Sequence, residues 1–252
     1  MAKLDNKVAF ITGAGSGMGK AQASLFAKEG AKVIAADINL NGVQKVVEQI
    51  NAEGGDALAV EIDVSIKASV EAAVNKGLEQ YGRIDILSNT AGILDGYAPT
   101  LETSEELWDR TININLKGVY YVTNAVLPQM IENGQGVVIN IASIAAFVAG
   151  GGGAAYTASK HAIAGYTKQL SFDYGQKGIR ANAIAPGAVE TGMTKQIFEE
   201  GSAAVMEAVN SVPAGRYGQA EEIADVALFL ASEDASFMHG AIVPVDGGWI
   251  VK

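Results

Sequence analysis

The chain has 252 residues, 49% of them hydrophobic and 18% charged, a balance that supports a sizeable buried core and excludes a disordered chain. It contains no cysteine, so disulfides, thiolate catalysis and cysteine-based zinc sites are excluded. A net charge of −10 disfavours nucleic acid and anionic membranes as partners.

Met1 to Lys7 is short and polar, and no uninterrupted apolar stretch reaches spanning length; a cytoplasmic chain without a signal peptide is expected. The first apolar run, Val8–Thr12, predicts a strand. Behind it, Gly13-Ala14-Gly15-Ser16-Gly17-Met18-Gly19 leads into a helical pattern over Gly19–Glu29. A strand, glycine turn and helix in this order let backbone N–H groups approach a pyrophosphate at the positive end of the helix. Taken alone, the glycines would equally suit a tight βα turn. The spacing, T-G-x-x-x-G-x-G from Thr12 to Gly19, differs from G-x-G-x-x-G. It also lacks the Lys-Ser/Thr ending of a nucleoside-triphosphate loop, which disfavours phosphoryl transfer.

The next strand, Lys32–Asp37, ends in a carboxylate at the distance past the loop where one accepts from both ribose hydroxyls of an adenosine. A carboxylate there repels a 2′-phosphate, and neither Ser16 nor Ile38 supplies a balancing cation. NAD(H) is therefore preferred over NADP(H). Helix Leu40–Glu53, strand Ala57–Glu61, helix Ile66–Tyr81 and strand Ile84–Ser88 follow, then one long helix over Ser104–Glu132 and strand Val137–Ile141.

Ser143 lies just beyond that strand, where its hydroxyl can hydrogen-bond a substrate oxygen as charge develops. Gly150–Gly153 suit close passage of a substrate or a flexible turn equally well. Helix Ala155–Tyr174 opens with Tyr156, and Lys160 sits four residues on, on the same face. An ammonium near a phenol lowers its pKa toward the working range of an acid–base group. Strand Arg180–Ile184 precedes the poorly periodic segment 190–212, read as a lid rather than an ordinary surface loop. Helix Glu221–Ala231 and strand Ile242–Val245 complete the chain. With no linker dividing it, residues 1–252 are expected to form one α/β domain with a seven-stranded, doubly wound parallel sheet and helices on both faces.

With these motifs in order, the sequence resembles the compact branch of the short-chain dehydrogenase/reductase family over nearly its whole length. The supporting positions are the Thr12–Gly19 loop, Asp63-Val64, Asn89-Thr90-Ala91-Gly92, Asn115-Leu116-Lys117-Gly118, Ser143, Tyr156–Lys160, and Pro186-Gly187 followed by Thr191. The resemblance implies a Rossmann-type fold and hydride transfer between a nicotinamide and a carbonyl/alcohol pair. It implies Tyr156 as general acid or base, Ser143 orienting the carbonyl, Lys160 lowering the Tyr156 pKa and binding the nicotinamide ribose, and Asn115 holding a relay water.

For the cofactor it implies Gly13, Ser16, Gly17, Met18 and Gly19 at the loop, Asp37, and Asp63 and Val64 flanking the adenine. Asn89 would lie by the adenosine ribose, with Ala91 and Gly92 next to it. Pro186, Gly187, Val189 and Thr191 would form the nicotinamide end. Thr90 stands where the family often has a second Asn, and Ala142 where a second Ser is common; the Ser143 hydroxyl is still present.

Leu94, Tyr97, Ala145, Phe147, Val148 and Met193 are expected around the reacting carbon. Being largely apolar and uncharged, they suggest a neutral, fairly hydrophobic ketone. The two histidines, His161 and His239, cannot build an ordinary zinc site, so no metal is expected. No G-x-S-x-G hydrolase motif is present. The resemblance further implies a homotetramer built on the two long helices and on Ile242–Trp249. A small or medium ketone or secondary alcohol is the expected substrate. A 3-oxoacyl thioester (acyl-carrier-protein) reductase ranks second, since Asp37 disfavours NADPH and an acidic surface suits an acidic carrier poorly. A non-catalytic NAD-sensing protein ranks last, because Ser143, Tyr156 and Lys160 are all intact.

Overall fold

The computed structural model describes residues 2–192, 194 and 209–251. Strands β1 (Val8–Thr12), β2 (Lys32–Asp37), β3 (Asp56–Glu61), β4 (Ile86–Asn89), β5 (Gly136–Ile141), β6 (Ile179–Pro186) and β9 (Ile242–Val245) form one parallel sheet in the order β3-β2-β1-β4-β5-β6-β9. A short parallel pair, β7 (Val189–Glu190) and β8 (Gly218–Gln219), flanks the part of the expected lid that lies outside the described residues. The chain steps outward from β1 to β3, then returns and steps the other way from β4. The crevice beyond the carboxyl ends of β1 and β4 is therefore the topological switch point, where ligands bind in open α/β sheets.

Helices α1 (Gly17–Lys28), α2 (Leu40–Ala52) and α7 (Ala220–Ala231) pack on one face; α3 (Lys67–Tyr81), α5 (Gly118–Glu132) and α6 (Ala154–Tyr174) pack on the other. Alternate strand residues serve the two layers: Ala9, Ile11, Val33 and Ala35 join Phe26 and Val43, while Val8, Phe10, Ile34 and Ala36 join Val74 and Val126. Both faces of the strands are covered, so β1 and β6 are buried at every position and β2 throughout its interior, with no alternation. Among the described residues no helix is long and apolar enough to cross a membrane.

One expected element breaks. The single helix over Ser104–Glu132 is three pieces: α4 (Glu105–Ile112), a π-helical turn (Asn113–Lys117) and α5. The cause is a tertiary contact. The fully buried Asn115 amide accepts from the Ile93 N–H at 2.8 Å and donates to the Ile93 carbonyl at 2.9 Å, which requires a local widening of the helix.

Candidate active site

The glycine loop closes the end of β1. Gly13 has φ +68°, which strains any L side chain, and a Cβ on Gly19 would lie 2.2 Å from the Gly13 carbonyl oxygen. The first turn of α1 can therefore press against the loop only as glycine. Thr12 ties this loop to the next strand end, its hydroxyl accepting from the N–H groups of Thr90 at 3.0 Å and Ala91 at 3.1 Å. The Asp37 carboxylate accepts from the Gly15 N–H at 2.9 Å and the Asn39 N–H at 2.8 Å, which fixes it at the mouth of the loop.

A cleft of about 340 Å³ runs past these residues, lined by Gly13, Ser16, Gly17, Met18, Gly19, Asp37, Ile38, Asp63, Val64, Ala91, Gly92 and Thr191 among others. Its far end opens onto a second cavity of about 330 Å³ that shares Met18, Thr90, Gly92, Ile93 and Thr191 with it. Ser143, Tyr156, Lys160, Pro186, Gly187 and Val189 line the second cavity. The loop glycines, the carboxylate and the paired cavities suit an extended dinucleotide, its adenosine end at Asp37 and its other end beside Tyr156.

Ser143 follows β5 and accepts from the Ala145 N–H at 3.1 Å. Tyr156 rises from the first turn of α6, and burial pushes its phenol up to about 12; the hydrogen bond with Ser143 opposes that rise, while Tyr97 and Asp95 add to it. Lys160 donates to the Ile141 carbonyl at 2.8 Å, with its Nζ 5.4 Å from the Tyr156 ring centroid. Burial lowers the Lys160 ammonium to about 8. Burial is the largest influence on the Tyr156 phenol, and it runs opposite to the lowering that the resemblance implies.

Several expected positions fall elsewhere. Asn89 points into the sheet interior, where its amide donates to Thr123 at 3.1 Å and Asn140 at 2.9 Å; Thr90, Ala91 and Gly92 line the cofactor cleft instead. Asn115 lines neither cavity, because its amide is turned to Ile93. Leu94 and Tyr97 do line the substrate cavity, but Ala145, Phe147 and Val148 do not. A 3₁₀ turn over Ile144–Ala146 sends Ala145 into the core and gives the wall position to Ile144, while Phe147 stays exposed. Met193 lies outside the described residues. Ile93, Ile144 and Trp249 also line this cavity and were not expected there. The fold alone brings the carboxyl-terminal segment back across the site, so no local signal marks Trp249.

A doubly wound dinucleotide fold with serine, tyrosine and lysine at its switch point defines a class of oxidoreductase. The comparisons sharpen that class. Residues 13–250 match a family profile described as Enoyl-(Acyl carrier protein) reductase. A 3-oxoacyl-(acyl-carrier-protein) reductase of Thermotoga maritima is 40% identical over 99% of this chain and all of its own. A cyclohexanol dehydrogenase of Acinetobacter is 41% identical over 99% of this chain and 97% of its own. A solved structure from Beutenbergia cavernae with NADP at low occupancy is 36% identical, covers 99% of each chain and superposes with a TM-score of 0.93. The chain belongs to the short-chain dehydrogenase/reductase family and is an oxidoreductase acting on CH–OH and C=O groups.

Proposed function

We propose that this protein is an NAD(H)-dependent carbonyl reductase and alcohol dehydrogenase for a neutral, small or medium ketone and its secondary alcohol. The observation that carries the cofactor preference is Asp37, held by the Gly15 and Asn39 N–H groups at the adenosine end of the cleft. Ile38 beside it is exposed and offers no cation to a 2′-phosphate. Arg110 is the one cation among the described residues lining that cleft. For the substrate, Lys160 is the only charged side chain among the described residues lining the second cavity, and Leu94, Tyr97, Ile144 and Trp249 wall it. Such a wall favours an uncharged, apolar carbonyl compound.

When bound, the nicotinamide supplies or accepts the hydride. The residues handle the rest. Ser143 and Tyr156 hold the carbonyl oxygen. In reduction Tyr156 donates its proton to that oxygen; in oxidation it takes the proton back. Lys160 orients the nicotinamide ribose and, while charged, favours the phenolate. Asn115 fixes the backbone of Ile93, which lines both cavities, and is the residue proposed to hold a relay water. Exposed Tyr120 on α5 and Phe172 on α6 support a homotetramer that pairs these helices. A cytoplasmic location fits the chemistry proposed here.

The test is steady-state oxidation of NADH and NADPH against diacetyl, a cyclic diketone, acetophenone and an acetoacetyl thioester. Fast NADH turnover on ketones but not on the thioester supports this reading. Preference for NADPH and the thioester overturns it. Asp37→Ala should weaken NADH binding and favour NADPH relatively. Tyr156→Phe should abolish turnover with NADH binding nearly unchanged. Intact turnover in that variant would remove the acid–base role, and no turnover in the unaltered protein on any substrate would favour a non-catalytic NAD-sensing protein.

A further inference from the structure

Asp95 is a carboxylate only 2% exposed, six residues beyond Asn89 and outside every motif singled out in the sequence. Its Oδ1 accepts from the Gly153 N–H at 2.8 Å and its Oδ2 from the Tyr156 N–H at 2.8 Å; the Tyr97 N–H approaches Oδ1 at 3.3 Å. The first N–H groups of a helix lack intrahelical partners, and the N-cap of α6, Gly153, has no side chain to satisfy them. A carboxylate 61 residues away in sequence does so instead, at the positive end of the helix.

A second strap lies beside the first, from the Ala154 N–H to the Ala98 carbonyl at 3.1 Å. A Cβ on Gly153 would stand 2.6 Å from Asp95 Oδ2 and from both Ala98 backbone atoms, so only glycine lets the loop dock. The same carboxylate holds the turn that places Tyr97 on the substrate wall, and Tyr97 keeps a left-handed φ of +58° directly after Gly96 at +67°.

We propose that Asp95 is a positioning residue for hydride transfer. By gripping the Gly153 and Tyr156 N–H groups it fixes the first turn of α6, and so the Tyr156 hydroxyl, relative to Ser143 and the Tyr97 wall. The inference rests on the reading of Tyr156 as the proton-transfer group. The groups facing the phenol are Ser143 from the end of β5, Lys160 from α6, and Tyr97 and Asp95 from the loop after β4. The Asp95 charge opposes ionisation of Tyr156, as Tyr97 does. Position and charge therefore give separable signals.

Two variants test this in the full-length protein. Asp95→Asn keeps the shape and one good acceptor but removes the charge. Its kcat should fall about tenfold to a hundredfold, as expected for a reacting group misplaced by a fraction of an ångström, with NADH affinity within about twofold. The rising limb of its pH profile for alcohol oxidation should also move to lower pH. Gly153→Ala keeps the charge and forces the strap apart, so kcat should fall with no shift of that limb. Unchanged kcat in Gly153→Ala, or loss of NADH affinity equal to the loss of kcat in either variant, overturns the proposal. If Asp95→Asn yields no folded protein, Gly153→Ala decides alone. Tyr156→Phe in the same assays separates the two levels: if it retains turnover, the reading of Tyr156 fails; if it is inactive while both other variants match the unaltered enzyme, only the role of Asp95 fails.

Discussion

Replacing Asn115 by Ala tests whether this residue is first a structural clamp. Its amide is fully buried in the π turn, and both of its polar atoms bond the backbone of Ile93, which lines both cavities. Truncation leaves the partly buried N–H and C=O of Ile93 without these partners. Each orphan costs about 1–3 kcal/mol, part of which an entering water recovers, so a net destabilisation of about 2–4 kcal/mol is expected. For a domain of this size that is roughly a 5–15 °C fall in Tm. Urea and thermal unfolding at fixed protein concentration measure it, with cofactor absent so that ligand binding does not mask the change. A destabilisation below about 0.5 kcal/mol, within the range of an ordinary surface substitution, would refute the clamp. A large loss of kcat with unchanged stability would instead assign Asn115 wholly to the proton relay.

Gly19→Ala places a Cβ 2.2 Å from the Gly13 carbonyl, so the loop must shift; NADH binding, followed by fluorescence titration, should be lost or weakened by more than about tenfold, and unchanged affinity would deny the loop its place. The pH dependence follows from the direction of the Tyr156 shift: oxidation needs the phenolate and reduction the neutral phenol. Because burial holds the phenol up to about 12, alcohol oxidation should climb from about pH 7, with a shallower slope above about pH 8 as the Lys160 charge is lost, while reduction shows no matching loss across about pH 7 to 10. Initial rates in both directions check this, and an oxidation rate flat across that range would contradict it.

The local chemistry of the chain determined the strands, the glycine loop and the pairing of Tyr156 with Lys160. The runs Val8–Ile11 and Val33–Ala36 are apolar without a break because both faces of a parallel sheet are covered, and that pattern is visible without any partner. Gly13, Gly19 and Asp37 act within one βαβ unit, and Tyr156 and Lys160 sit one helical turn apart, so spacing alone brings each set together. Tertiary structure decided what depends on distant backbone. The break at Asn113–Lys117 exists because Asn115 meets Ile93, 22 residues away. Asn89 turns inward because Thr123 and Asn140 wait there, and Ile144 displaces Ala145 from the wall because a 3₁₀ turn rotates the chain after Ser143. Asp95 finds the start of α6, and Trp249 the substrate cavity, only when the chain closes on itself. A buried polar group is satisfied by whichever partner the fold delivers, and neither the identity of that partner nor its direction is encoded in the residues on either side.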